Sequence, residues 1–159
     1  MDLETRQHIR QMYRDWMPKL EKDYSRHDPY AGGWINLIRF TPIEKNVWAD
    51  IRFIGLPFLP QFPVGPFFID FADPFKKIGI EVDGKQWHEN KAKDDLRQRW
   101  LEERGWEIYR ILGRQTYGSP EDDDEDYDMC DDEENEEDES VDLESSEGIL
   151  RKIKKDRYE

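Results

Sequence analysis

Residues 67–88 read FFIDFADPFKKIGIEVDGKQWH, two apolar runs parted by a turn-like hexapeptide. Phe67, Phe68, Ile69 and Phe71 in the first run, and Ile78, Ile80 and Val82 in the second, are aromatic or β-branched, the types that suit a pleated, packed surface. Ala72 to Lys77 contains Asp-Pro, a turn signal, so the two runs are expected to pair as an antiparallel hairpin. A side-chain period of two puts Ile78, Ile80 and Val82 on one face of the second strand and Gly79, Glu81 and Asp83 on the other. One face then feeds a core and the other carries charge. Counting outward from the turn sets Asp70 opposite the stretch from Gly79 to Glu81.

Two carboxylates facing each other across a hairpin suit a hard divalent cation. Mg²⁺ takes oxygen ligands in octahedral geometry and is usually held by one or two carboxylates, with waters and substrate phosphate completing the shell. Such an ion polarises a phosphate and lowers the pKa of bound water. Asp70 and Glu81 are the expected ligands, and Asp83, one pleat further, is placed to orient or deprotonate the water. Lys85 and His88 follow the strand, where either can stabilise the pentavalent phosphorane or protonate the leaving oxygen. The competing readings are turn caps and surface charges for the acids and solvated loop residues for Lys85 and His88. Trp87 is expected to pack rather than to stack on a base.

The order FIDFADP, IGIEVDGKQWH, then Asp94, Arg97, Leu101 and Gly105-Trp106 resembles the very-short-patch-repair-like endonuclease domains of the PD-(D/E)XK restriction-endonuclease-like superfamily. Upstream, TPIEKNVWADIRFIGLPFLPQFPVGP is similar to that family's leading helix, first strand and characteristic glutamine, here Gln61, which is expected to contact nucleic acid. The resemblance spans about residues 41–114. It implies an α/β fold with a mixed sheet flanked by helices, and Mg²⁺-dependent hydrolysis of DNA, with Mn²⁺ as an alternative ion, in repair or restriction. It also implies that Asp70 is the first metal-binding aspartate and Glu81 the second acidic ligand, with the main-chain carbonyl of Val82 as a further one. The superfamily's usual motif has lysine two residues after that acid, whereas this chain has Asp83. A second parsing takes Asp83-Gly84-Lys85 as the Asp-x-Lys motif; the strand period, which aims Glu81 and Asp83 together, favours the first. Trp87-His88 matches a pair in the repair branch, where the histidine assists hydrolysis.

The flanking segments fit the same fold. Thr41-Pro42-Ile43-Glu44 has capping-box spacing with proline at the first helical position, which predicts a helix to about Phe53 buried along Ile43, Val47, Trp48 and Ile51. Glu44 is mainly a cap in this reading. A second helix is expected over 91–104, with Leu96, Trp100 and Leu101 on its apolar face, Lys91, Lys93, Arg97 and Arg99 on the other, and Gly105 as its stop. Those cations suit DNA phosphate or ordinary surface ion pairs. Residues 106–112 alternate as a closing strand, in which Arg110 points away from Ile111 toward substrate or solvent. Near the start, Ile9, Met12, Tyr13, Trp16 and Leu20 recur at helical spacing and set residues 1–24 apart as an amphipathic helix that packs on a core. Residues 27–40 read as a loop leading to a short strand or helical turn.

Charge divides the chain. Through Pro120 there are 19 Lys and Arg against 18 Asp and Glu; beyond it there are 5 against 20, so the net −14 belongs to the C-terminal part. The low overall charge balance therefore says nothing against DNA binding by residues 25–118. Residues 119–147 carry too few apolar groups to offset chain ordering and are expected to be a disordered acidic tail. That tail is a solvating spacer, a phosphate mimic for the basic surface, or a recruiter of a basic partner. Residues 148–159 are basic, with Ile149, Leu150 and Ile153 on one side of a short helix able to clip back onto the domain, bind a partner or touch DNA. No run approaches the ~20 apolar residues of a membrane span, no signal peptide is evident, and Cys130 is alone, so an intracellular, cytoplasmic setting is expected. Oligomeric state is not readable. Two rival functions stay open: a DNA-binding module that keeps the fold without cleaving, and an acidic interaction protein for which the domain is a scaffold.

Overall fold

A computed structural model of the chain describes residues 1–22, 40–84, 91–116 and 145–159. The hairpin forms: β2 (Phe67–Asp73) and β3 (Ile78–Asp83) are antiparallel, with Phe71 opposite Ile80 and Asp73 opposite Ile78. The strand runs two residues past the expected end because Asp73 itself closes the turn, its Oδ1 accepting the N–H groups of Phe75 at 2.9 Å and Lys76 at 3.3 Å.

The proline-broken segment becomes β1 (Leu59–Val64), antiparallel to β2. It lies at the sheet edge, where Pro60 and Pro63 cost least, since an edge strand has neighbours on one side only. The last strand, β4 (Glu107–Leu112), is parallel to β3, and the order across the sheet is β1-β2-β3-β4. A parallel return needs a crossover, supplied by a helix, α3 (Lys91–Glu102), which Gly105 at φ 82° terminates.

Three further α-helices, α1 (Leu3–Lys22), α2 (Pro42–Ile54) and α4 (Ser146–Tyr158), and a 3-10 turn at Gly113–Gln115 complete the described elements. The capping box read at Thr41 and Glu44 is formed, and Gly55 ends α2 in the left-handed region at φ 74°. Helix α1 lays Ile9, Tyr13 and Leu20 into one core with Leu59, Phe62, Ile69 and Leu101, so the segment set apart in the sequence shares the domain's packing. On the other side of the sheet, Val47, Ile51 and Ile54 of α2 join Phe71, Ile80 and Ile111 together with Leu150 and Ile153 of α4.

Two expectations change. Both faces of the hairpin are covered rather than one: Gly79, on the charged side of β3, lies against Ile69 and Ile108, and Glu81 is only 6% exposed. Leu96 is not part of the packed face of α3; it is 66% exposed, because the helix is rolled to bring Arg97 and Leu101 inward.

The C-terminal basic segment does clip back. Leu150 and Ile153 are buried, Lys154 Nζ donates to the Ile54 carbonyl at 2.7 Å, and the Tyr158 hydroxyl donates to Asp73 at the hairpin turn. Ser146 Oγ donates to Asp50 and Asn46 Nδ2 donates to the Thr116 carbonyl, so the chain leaves and rejoins α2 within one helical turn. Residues 117–144 between them, which hold the acidic run and Cys130, lie outside the described residues, as do 23–39 and 85–90. Among the described residues no helix is long and apolar enough to cross a membrane.

Candidate active site

The site grows from an irregularity in β2. Ile69 and Ala72, three residues apart, enter the same core while Phe71 faces the opposite one, so the alternation slips by one at Asp70. Across from it, between Pro60 and Phe62, Gln61 has a left-handed backbone at φ 48°, a conformation costly for a residue with a Cβ. The slip swings the Asp70 carboxylate along the sheet. Its Oδ2 accepts the Val82 N–H at 2.9 Å and its Oδ1 the Gln61 amide at 3.2 Å.

Glu81 stands next to it on β3. Arg97 of α3 donates to Glu81 Oε1 at 2.7 Å and also to the Phe68 carbonyl, tying the helix to both strands of the hairpin. Asp83, two residues on, pairs with Arg110 Nη1 at 2.9 Å, and Arg110 sits beside Glu81 in the β3–β4 register. Arg110, expected to point toward substrate or solvent, is half-buried, and the parallel pairing delivers it to Asp83. Lys93 is exposed on α3 and the α3 backbone starts at Lys91, whose side chain lies outside the described set. Lys85, Trp87 and His88 lie outside the described residues.

Glu44 is the group the sequence undervalued. Its Oε2 makes the expected cap, accepting the Thr41 N–H at 2.6 Å, but its Oε1 lies 3.4 Å from the Gln61 amide, which in turn holds Asp70. The signal was the first-turn position on α2; that α2 begins beside the hairpin is a tertiary fact.

The electrostatics follow from crowding acids. Burial pushes the Asp70 carboxyl from 3.8 up to about 6, with Glu44 adding to the rise and the Val82 N–H, Arg97 and Gln61 opposing it. Burial, then the Asp70 charge, pushes Glu81 from 4.5 up to about 8 against the pull of Arg97. Among the described residues, Arg97 and Arg110 are the guanidiniums paired with these acids, Arg97 with Glu81 and Arg110 with Asp83. Oxygen donors of this kind are the type that a hard divalent cation takes. Among the described residues no three His, Cys, Asp or Glu side chains form a group that could hold a metal ion.

A mixed α/β sheet carrying buried acids on an antiparallel hairpin, with helices on both faces, defines a restriction-endonuclease-like domain. The profile of the REase_MTES_1575 family, which is restriction-endonuclease-like, matches residues 43–126, more than half of the chain, and the chain belongs to that family. The match supports a restriction-endonuclease-like fold and not, in particular, the very-short-patch-repair-like family that the motifs resembled. The uncharacterized protein YcjD of Escherichia coli K12 is 36% identical over 71 residues, 43% of this chain and 61% of that protein. An uncharacterized protein of Haemophilus influenzae is 31% identical over 74 residues, 45% of this chain and 47% of the relative. The chain thus spans about half to three-fifths of the length of these relatives. The catalytic domain of the homing endonuclease I-Bth0305I is similar at 23% identity with a TM-score of 0.42, covering 48% of this chain and 80% of that one.

Proposed function

We propose that the domain is a Mg²⁺-dependent endodeoxyribonuclease that hydrolyses phosphodiester bonds at the Asp70–Glu81 pair, with Mn²⁺ as a competent substitute. The observation that carries this is the pair itself: two carboxylates from adjacent strands, Glu81 buried and Asp70 half-buried, each raised in pKa by desolvation and Glu81 further by Asp70. Structural acids are seldom placed so; sites that must bind a cation or move a proton are. When bound, a divalent cation supplies Lewis acidity toward the phosphate and its attacking water.

The protein's own groups do the rest. Gln61 and the Val82 N–H fix the Asp70 carboxylate, and Arg97 fixes that of Glu81. The Val82 carbonyl is a further oxygen donor. Asp83, held by Arg110, orients or deprotonates the attacking water. Lys85 and His88 stabilise charge on the phosphorane or protonate the leaving oxygen. Lys91 and Lys93 meet the DNA backbone. Repair or restriction is the role we assign. The acidic segment tempers nonspecific DNA binding, and because α4 packs on α2, removal of residues 121–144 alone is the variant that should raise DNA affinity at low salt.

The test is direct. Asp70→Ala and Glu81→Ala are each expected to abolish Mg²⁺-dependent cleavage with the circular dichroism spectrum unchanged; wild-type-like nicking by either sinks the proposal. A second reading, a DNA-binding module that does not cleave, draws on Asp83, which occupies the superfamily's lysine position and is engaged by Arg110. Calorimetry separates the two, since a non-cleaving module has no need to bind Mg²⁺ at Asp70.

A further inference from the structure

The β1–β2 turn, on the face covered by α1 and α3, gathers arginines onto aromatic rings. Arg10 lies 4.5 Å from the centre of the Phe68 ring, Arg97 5.9 Å from Phe67 and Arg104 3.4 Å from Trp100, while Phe67 and Trp100 meet edge to face at 5.3 Å. Arg10 also donates to the Gly65 carbonyl at 2.6 Å, and Arg104 to that of Trp100 at 2.9 Å. Gly65, at φ 54°, packs so closely on Trp100 that a Cβ there would run into the indole. The rings thus set a platform with the guanidiniums held over them.

Each helix extends the charge. Arg6, Arg10 and Arg14 recur every four residues of α1, forming one ridge about 12 Å long. The next row round carries Gln11 and Asp15, bonded to each other and so turned from it. Lys93, Arg97, Trp100 and Arg104 share one side of α3 and its final turn, whereas Glu102 pairs with Gln98 on another row. Arg6, Arg14, Lys93 and Arg104 are exposed. Two basic rows therefore border an aromatic turn, and Arg97 links that turn to Glu81.

We infer that this surface is the track for the phosphodiester backbone of DNA on the flank of the cleaved bond, with Arg6, Arg10 and Arg14 on one border and Lys93 and Arg104 on the other. The inference rests on the proposed nuclease reading for the direction of the strand, toward Glu81. Charge and half-buried rings together fit a nucleic acid: guanidiniums take phosphate oxygens, and aromatic or guanidinium planes accept unstacked bases.

Binding can be measured apart from cleavage. Fluorescence anisotropy with a labelled duplex in EDTA, across a KCl series, compares the full-length wild type with Arg6→Ala/Arg14→Ala/Arg104→Ala. A control, Arg151→Ala/Lys152→Ala/Lys155→Ala, makes the same charge change on α4, across the sheet. The first triple variant is expected to bind at least about ten-fold more weakly at low salt, with the slope of log K against log salt smaller by roughly two to three, near 0.9 per lost phosphate contact; the control should match wild type. Arg6→Glu/Arg14→Glu, at two exposed positions, serves if loss of Arg104 from the Trp100 ring unfolds the first. Equal losses in both triples, or no loss in the first while wild type binds, overturn this track and leave the nuclease reading standing. A wild type that neither binds nor cuts DNA overturns both.

Discussion

Replacing Asp70 by Asn is expected to stabilise the metal-free protein at pH 8 and to destabilise it at pH 4. Asp70 is raised from 3.8 to about 6, first by burial and then by the Glu44 charge. An acid with a folded pKa above its unfolded one favours the native state when neutral. Its contribution is complete below about pH 3.8 and is lost as pH rises through about 6. The gap, at ~1.36 kcal/mol per pH unit, makes the ionised carboxylate a burden of about 3 kcal/mol above pH 6. Asn keeps one oxygen for the Val82 N–H but sets its own amide against that of Gln61, losing a hydrogen bond worth ~1 kcal/mol. The balance is a gain of about 2 kcal/mol at pH 8 and a loss of about 0.5 kcal/mol at pH 4, where partial ionisation of the unfolded chain offsets about half of the lost hydrogen bond. Urea unfolding in EDTA at the two pH values measures it, and a melting point higher by roughly 5–10 °C at pH 8 accompanies it. Saturating Mg²⁺ should stabilise wild type by about 3 kcal/mol at 100 times its Kd, and the variant hardly at all. A stability difference of the same sign at both pH values, or a wild type that outlasts the variant at pH 8, refutes the reasoning.

Other outcomes follow from single contacts. Arg97→Met removes both the hydrogen bond to the Phe68 carbonyl and the cation beside a carboxyl raised to about 8, so it should cost ~1 kcal/mol at pH 5 and ~1–2 kcal/mol more at pH 9, where Glu81 is ionised, seen as a pH-dependent gap between urea midpoints. Leu150→Ala empties a fully buried position between α4 and α2 and should lose about 2–5 kcal/mol in urea unfolding. Gly79→Ala places a Cβ 2.7 Å from Ile108 Cδ1 and 2.9 Å from Ile69 Cγ2, an overpacking expected to cost ~1–3 kcal/mol by calorimetric melting. Thr41→Ala breaks the capping box and should cost ~1 kcal/mol by the same measurement.

What the chain declares by itself is local. Alternating β-branched and aromatic residues, Asp-Pro at the turn, the Thr-Pro-x-Glu cap and the glycines after α2 and α3 are short-range preferences, and each resolves within a few residues in the structure. Asp70 and Glu81 could be paired from the sequence because a hairpin fixes its own register. The partners of those acids could not. Arg97 and Arg110 reach Glu81 and Asp83 only once a parallel crossover has closed, and their sequence spacing carries no trace of it. The same holds for Glu44, whose cap was legible and whose approach to Gln61 was not. Leu96 failed for the same reason in reverse: helical periodicity finds an apolar stripe, but the roll of α3 is set by what Arg97 and Leu101 meet. Likewise the slip at Asp70 needs Gln61 across the sheet, since a period of two read along one strand assumes an undisturbed neighbour. Sequence determined the elements and the two acids of the hairpin; tertiary structure decided which charges those acids share and how deeply they are buried, because both depend on groups brought together from β1, α2, α3 and β4 only when both faces of the sheet are covered.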